Sequence, residues 1–274
     1  MKIQQIIDML WASHSPLDPQ RRTCDQLQYG DPDRECTGIV LTCSPSCDVI
    51  KKAHDMGCNF IIGHEPLFYD GWDETDWQAD DKVLNAKRKL LDETGMTVIR
   101  DHDHMHNENP DEIFSGLIAE LGWQEYVLSQ DLGAGYIFKL PRTTVRDVAQ
   151  HVCRVMNISG MRIIGNLDME VERVAIAAHF LGAEWDKSQL KQLDKYDVQL
   201  VIPGEIIDWT IGAYVRDAIS MGKNMALLNC GHFNLEEPGM KHMVSRIQKL
   251  VGEELAVHYL QSGNIYSWLE KKTN

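Results

Sequence analysis

With 274 residues, 43% of them hydrophobic and 25% charged, the chain can fill one large or two ordinary globular domains and is too apolar for disorder. Its formal net charge of −14 argues against a nucleic-acid partner, which would be gripped through clustered Lys and Arg. An anionic small molecule would need something positive at its own site, and bound divalent cations are one source.

Seven cysteines, an odd number in a chain too long to need staples, point to reduced thiols and a cytoplasmic protein. Cys43 and Cys47 make a lone C-x3-C pair, half of a closed zinc site, and are read as structural. Residues 1–11 carry Gln and Asp where a secretory leader needs an apolar core, and no apolar run reaches membrane-spanning length. Their apolar positions Ile3, Ile6, Ile7, Leu10 and Trp11 predict an amphipathic helix instead. Residues 12–36 are polar and turn-rich, and 38–42 then predict a strand, 48–56 a helix and 59–62 a second strand. That order implies a parallel βαβ unit, with His64 and Glu65 at a strand end where ligands collect. A helix over 81–93 leads to a strand at 96–99, and residues 111–121 predict a further helix.

In the second half, strands are expected at 136–140, 161–164, 174–178, 198–202, 225–228 and 255–260. Helices are expected at 144–156, near 186–194, and at 208–221 and 239–251. The halves rhyme: CNFIIGHEP aligns with VQLVIPGEI so that Glu65 meets Glu205, and each half then runs through a helix and a strand to a histidine-bearing end. The expectation is an α/β fold of two similar lobes, 1–125 and 126–274, with mixed, largely parallel sheets and a metal cleft between them. A return of residues 240–274 onto the first lobe is left open.

The densest stretch is residues 98–106, VIRDHDHMH. If extended, it would put His102, His104 and His106 on one side and Asp101, Asp103 and Met105 on the other. With His64-Glu65 and with His232 and Glu236 it forms a third His/carboxylate cluster, each after an apolar strand. Imidazole and carboxylate donors without thiolate suit Zn, Mn, Fe, Ni or Co rather than Ca. His179, also at a strand end, fits a cleft-wall or a purely structural role equally well. No phosphate loop, dinucleotide fingerprint or nucleophile elbow occurs.

Four segments carry a resemblance to a known family. DQLQYGD (residues 25–31), IIGHEPL (61–67), the run 98–106 and GHFNLE (231–236) are similar to the motifs D-N-x-G-L-x-x-G-D, H-H-P, V-Y-x-x-H-T-x-x-D and G-H-x-x-x-E of the Nif-three-like proteins, also labelled GTP cyclohydrolase I type 2 homologues. The resemblance implies two divalent metal ions, a ring-shaped homohexamer and metal ligands at His64, Glu65, His106, His232 and Glu236. Glu65 stands where the family has His, and His106 where it has Asp, so three imidazoles and two carboxylates are kept. His102, with His104 and Asp103, is expected to move protons or orient ligands. The implied activity is a metal-dependent hydrolase that opens a purine ring with metal-activated water and releases formate. Its substrate would be a nucleotide-like small molecule, with neither nucleic acid nor membrane as partner. The alternatives are a non-catalytic metal-binding regulator or scaffold, and a phosphoesterase.

Overall fold

The computed structural model describes residues 1–269 except Asp131, Gly133 and Ala134; those three and residues 270–274, the last of the expected second lobe, lie outside the described residues. The chain divides into two compact units, 1–116 with 239–263, and 117–238 with 264–274.

In the first unit, helix α1 (Ile3–Ala12) buries Ile3, Ile6, Ile7 and Leu10, the face its apolar spacing predicts. Strand β1 (Gln26–Tyr29) follows, then β2 (Ile39–Thr42), helix α2 (Cys47–Asp55), β3 (Phe60–Gly63), helix α3 (Lys82–Thr94) and β4 (Thr97–Arg100). Every residue of β2, β3 and β4 is buried, as continuous apolar runs require in a parallel sheet covered on both faces. Local chemistry fixes the helices between them. The Ser46 side chain accepts from the Val49 amide to start α2, and Asp81 accepts from the amides of Val83 and Leu84 to start α3. Gly95, at φ 59°, ends α3 in the left-handed conformation that glycine adopts without strain.

The short helix α4 (Asp103–Asn107) and helix α5 (Glu112–Leu121) follow β4. The second unit's strands are β5 (Val127–Ser129), β6 (Tyr136–Thr144), β7 (Arg162–Ile164), β8 (Glu170–Phe180), β9 (Leu200–Ile206) and β10 (Ala226–Asn229). Its helices are α6 (Val145–Met156), α7 (Glu184–Lys195) and α8 (Ala213–Ser220). Helix α9 (His232–Val251) begins directly after β10 and contains Pro238, where the division between the units falls; strand β11 (Val257–Tyr259) closes the described elements.

The first unit's sheet has the order β1-β4-β3-β2-β11, parallel except for β1. The second unit's sheet has the order β5-β6-β8-β9-β10-β7, in which β8, β9 and β10 run parallel and β5, β6 and β7 pair antiparallel. Both sheets are therefore mixed, within an α/β fold. The seven cysteines form no disulfide, and among the described residues no helix is long and apolar enough to cross a membrane.

Candidate metal centre

In the first unit, parallel strands β3 and β4 lie side by side with Gly63 opposite Arg100, so the residues that follow them, His64 and Asp101-His102, emerge at one sheet edge. The chain then turns into α4 and does not stay extended. The cause is Asp25, whose carboxylate accepts the backbone N–H groups of His102 (2.7 Å), Asp103 (2.9 Å) and His104 (2.8 Å). These amides belong to the start of a helix and would otherwise lack partners. Helical spacing replaces the alternation expected of a strand. His102 and His106, four apart, share a face, while His104 turns away and Met105 is buried.

His64, His102 and His106 converge, with one ring nitrogen from each lying within 4.8 Å of the others. The His102 ring stacks on His64 at 4.5 Å between centroids and meets His106 edge-on at 4.8 Å. His64 Nδ1 donates to the Asp101 carbonyl at 3.2 Å, and His106 Nδ1 donates to the Asp111 carboxylate at 2.7 Å. A neutral ring so held carries its lone pair on Nε2, and the two Nε2 atoms stand 3.2 Å apart. At that distance the two nitrogens share either a proton, with one ring as imidazolium, or a cation. Two nitrogens about 2.05 Å from one tetrahedral ion would be about 3.3 Å apart, so the donor set fits a divalent metal of the zinc type. A carboxylate or carbonyl behind each imidazole is the usual way such ligands are oriented.

His102 is held by Asp103, whose Oδ1 accepts from Nδ1 at 3.0 Å while Oδ2 accepts from the Cys24 amide at 3.1 Å. The His102 hydrogen bond holds the Asp103 carboxyl well below the usual carboxylate range. Cys24 also lies within ligand distance of His102 and Asp103, but burial pushes its thiol up to about 12, so it stays protonated. His104 is placed otherwise. Its Nδ1 donates to Asp25 at 2.6 Å, its ring stacks on His14 at 5.2 Å, and it groups with Asp25 and Asp101. His14 in turn donates from Nε2 to Asp101 at 3.1 Å, with both side chains fully buried. Glu65 faces the buried Arg100, whose Nη2 lies 3.6 Å from Oε2; Arg100 also donates to the carbonyls of His64 (2.9 Å) and Gly71 (2.7 Å).

The second unit carries a cluster of His179, His232 and Glu236, again with ligand atoms within 4.8 Å of one another. Gly231, at φ 94°, turns the chain from β10 into α9, so that His232 and Glu236 stand four apart on its first turns. His232 Nε2 is 3.1 Å from Glu236 Oε2, and Nδ1 is 3.6 Å from Glu205 Oε2. The His232 contact lowers the Glu205 carboxyl from its ordinary value. His179 and Glu205 are direct partners in the β8/β9 register. The Glu205 amide donates to His179 Nδ1 at 3.0 Å, so a neutral His179 carries its proton on Nε2 and offers a donor there. The His179 and His232 rings meet edge-on at 4.5 Å.

Each sequence-predicted residue therefore has a place. His64, His102, Asp103 and His106 come together in the first unit and His232 and Glu236 in the second, while His104 lies with the buried carboxylates and Glu65 beside Arg100. Sequence reasoning does not reach the holding roles of Asp25, Asp111 and His14, and it leaves His179 between a cleft-wall and a structural role; the structure groups His179 with His232 and Glu236. Asp111 had one local signal: its other oxygen accepts from the Phe114 amide at 2.9 Å, a helix-start pattern readable in D-x-x-F.

Known proteins share this arrangement of elements. A hypothetical protein from Staphylococcus aureus superposes with a TM-score of 0.73 at 17% identity, covering 98% of this chain and 99% of that one. A Bacillus cereus protein related to NIF3 gives a TM-score of 0.72 at 13% identity, with the same coverage. Among curated sequences, a protein of Clostridium perfringens named GTP cyclohydrolase 1 type 2 homolog is 23% identical over 244 residues, 84% of each chain. One of the same name from Clostridium acetobutylicum is 23% identical over 230 residues, 81% of this chain and 80% of that relative. The sequence profile of the Duf34/NIF3 (NGG1p interacting factor 3) family matches residues 1–264. The chain belongs to the Duf34/NIF3 family.

Proposed function

We propose that this protein is a metal-dependent hydrolase acting on a nucleotide-like small molecule, with two divalent ions as its cofactor. The observation that carries the reading is the 3.2 Å approach of His64 Nε2 to His106 Nε2 with both rings locked through Nδ1. The proposed ligands are His64, Glu65 and His106 from the first unit and His232 and Glu236 from the second. His102 and His179 are further imidazoles in the same clusters. When bound, a divalent ion supplies Lewis acidity and brings the ionisation of a water toward neutral pH.

The protein's own groups divide the remaining work. Asp103 keeps the Nδ1 proton on His102, so that His102 can take up or deliver a proton at Nε2 beside His64 and His106. His179, whose Nδ1 accepts from the Glu205 amide, places a second imidazole beside His232 and Glu236 in the second unit. Asp25 and His104 hold the turn that carries His102 and His106. Purine-ring hydrolysis of the GTP cyclohydrolase type, suggested by the names of the curated relatives, needs such a proton shuttle at a ring nitrogen as the ring opens. A homohexameric ring belongs to the same proposal and is tested by light scattering.

The test is incubation of the metal-loaded protein with GTP. Formate release that disappears in His232→Ala supports the cyclohydrolase reading; release of phosphate from simple phosphate esters would make the protein a phosphoesterase. One observation favours a non-catalytic, metal-binding regulator: the Arg100 guanidinium beside Glu65 competes with a cation for that carboxylate. Retained metal with no turnover on either panel would select it.

A further inference from the structure

A cavity of about 230 Å³ opens in the first unit, and its wall includes His102, Asp103 and His106. The same cavity is lined by Asp18, Arg21 and Arg22, from the loop between α1 and β1. The chain has 41 acidic against 27 basic residues, so two consecutive arginines in the lining of a cavity that also includes His102 and His106 stand out against its overall charge. Asp18 and Asp103 line the same cavity, the latter with its oxygens accepting from His102 and the Cys24 amide, so the two arginines bring the lining to charge balance where the chain as a whole is strongly acidic. Arg22 is oriented in advance: its guanidinium lies 4.0 Å from the centre of the Trp72 ring, and Nη2 donates to Glu74 at 2.7 Å, leaving its other donors available. The Arg21 side chain makes no hydrogen bond or ion pair among the described residues.

The cavity is smaller than the roughly 300–1,000 Å³ that holds a drug-sized ligand, so it suits one group of a substrate. Paired guanidinium forks match a tetrahedral, doubly charged anion in both charge and geometry.

We propose that Arg21 and Arg22 form a subsite for the phosphate group of a phosphorylated small molecule, on the wall of the cavity that His102 and His106 share. The subsite rests on the reading of that histidine cluster as the reactive centre, and it narrows the substrate class to phosphate-bearing molecules. Arg21 is the principal donor, and Arg22 a second one steadied by Trp72.

The test is calorimetric titration of the full chain with inorganic phosphate, as purified and after dialysis against a chelator, with metal content measured on the same samples. The proteins compared are the wild type, the double variant Arg21→Gln/Arg22→Gln, and Arg142→Gln as a control at an exposed arginine of the second unit that pairs with Glu170. The expected result is phosphate binding weakened at least about tenfold in the double variant, before and after chelation, with metal content and the control unchanged. Equal phosphate affinity in wild type and double variant would overturn the subsite. A parallel loss of metal in the double variant would also overturn it, because the arginines would then act by supporting the metal ligands. Arginine-dependent phosphate binding in a protein that holds no metal would leave the subsite standing and remove the metal reading.

Discussion

Single residues set the chemistry of this site through what stands behind them. His106 faces His64 because Asp111 holds its Nδ1, and removing that acceptor frees the ring to rotate and to change tautomer. Asp111→Ala is expected to weaken metal binding by about 10–100-fold, read by competition with a chromophoric chelator, and to cost about 1 kcal/mol of stability through the lost cap on the Phe114 amide. A second residue-scale effect lies away from the site. Lys87 is only 5% exposed, its ammonium donates to the Leu67 carbonyl, and burial lowers its pKa from 10.5 to about 8. The unfolded chain therefore binds more protons than the folded one between pH 8 and 10.5, and stability gains from this group as pH rises through that window. The gain approaches about 3 kcal/mol by pH 10.5. Buried thiols act in the opposite direction, since the pKa of Cys36 is raised to about 11 and the folded state keeps that proton longer. Urea unfolding of Lys87→Met beside wild type isolates the lysine. The variant should be the more stable at pH 7.5, with the difference shrinking toward pH 10.5.

At the scale of elements, the short helix α4 decides which histidines meet, and it is held from a distance. Its first amides are satisfied by Asp25, up to 79 residues earlier in the chain. Asp25→Ala would strand three backbone donors in a partly buried turn and is expected to cost about 2–3 kcal/mol, measured by chemical unfolding. It should also loosen His102 and His106 together, so metal affinity falls with stability. The contact between α5 and the later part of α9 is equally tight. A Cβ on Gly239 would lie 2.6 Å from the Ile113 carbonyl oxygen, and one on Gly116 would lie 2.7 Å from the Gly239 Cα. Gly239→Ala is accordingly expected to cost about 1–3 kcal/mol by overpacking. This dependence explains where the sequence was legible. The buried strands β2 and β3 announce themselves as apolar runs, β4 by its Val98-Ile99 pair, and α2 and α3 through their caps and periodicity. The run 98–106 carried no such signal. Five residues make too short a helix to show a period, and the alternating His and Asp types mimic a strand; only the distant Asp25 selects the helix. His232 and Glu236 show the reverse case. Their four-residue spacing is helical, yet helix α9 was expected only from residue 239, because Asn229, Cys230 and Gly231 read as a strand end and Pro238 as a break.

For the whole molecule, the α/β class and the mixed sheets follow from strands alternating with helices, which a single sequence displays well. The edge strands β1 and β5 do not follow from it. They are short, partly exposed and interrupted in register, so neither alternation nor a buried run marks them. The sequential reading likewise cannot show that β11 pairs with β2, which ties residues near 257 to those near 39. The imidazoles and carboxylates of the candidate centre were visible as residue types at strand ends, whereas the groups that aim them, Asp25, Asp111, His14 and Arg100, act through contacts that only the fold creates. The central claim is that the two histidine clusters hold divalent metal ions. Elemental analysis of the protein as purified, beside His106→Ala and His232→Ala, tests it most directly. The expected result is two divalent ions per chain in the wild type and at least one fewer in each variant, with the fold unchanged by circular dichroism. A wild type without stoichiometric metal, or variants that keep the full complement, would contradict it.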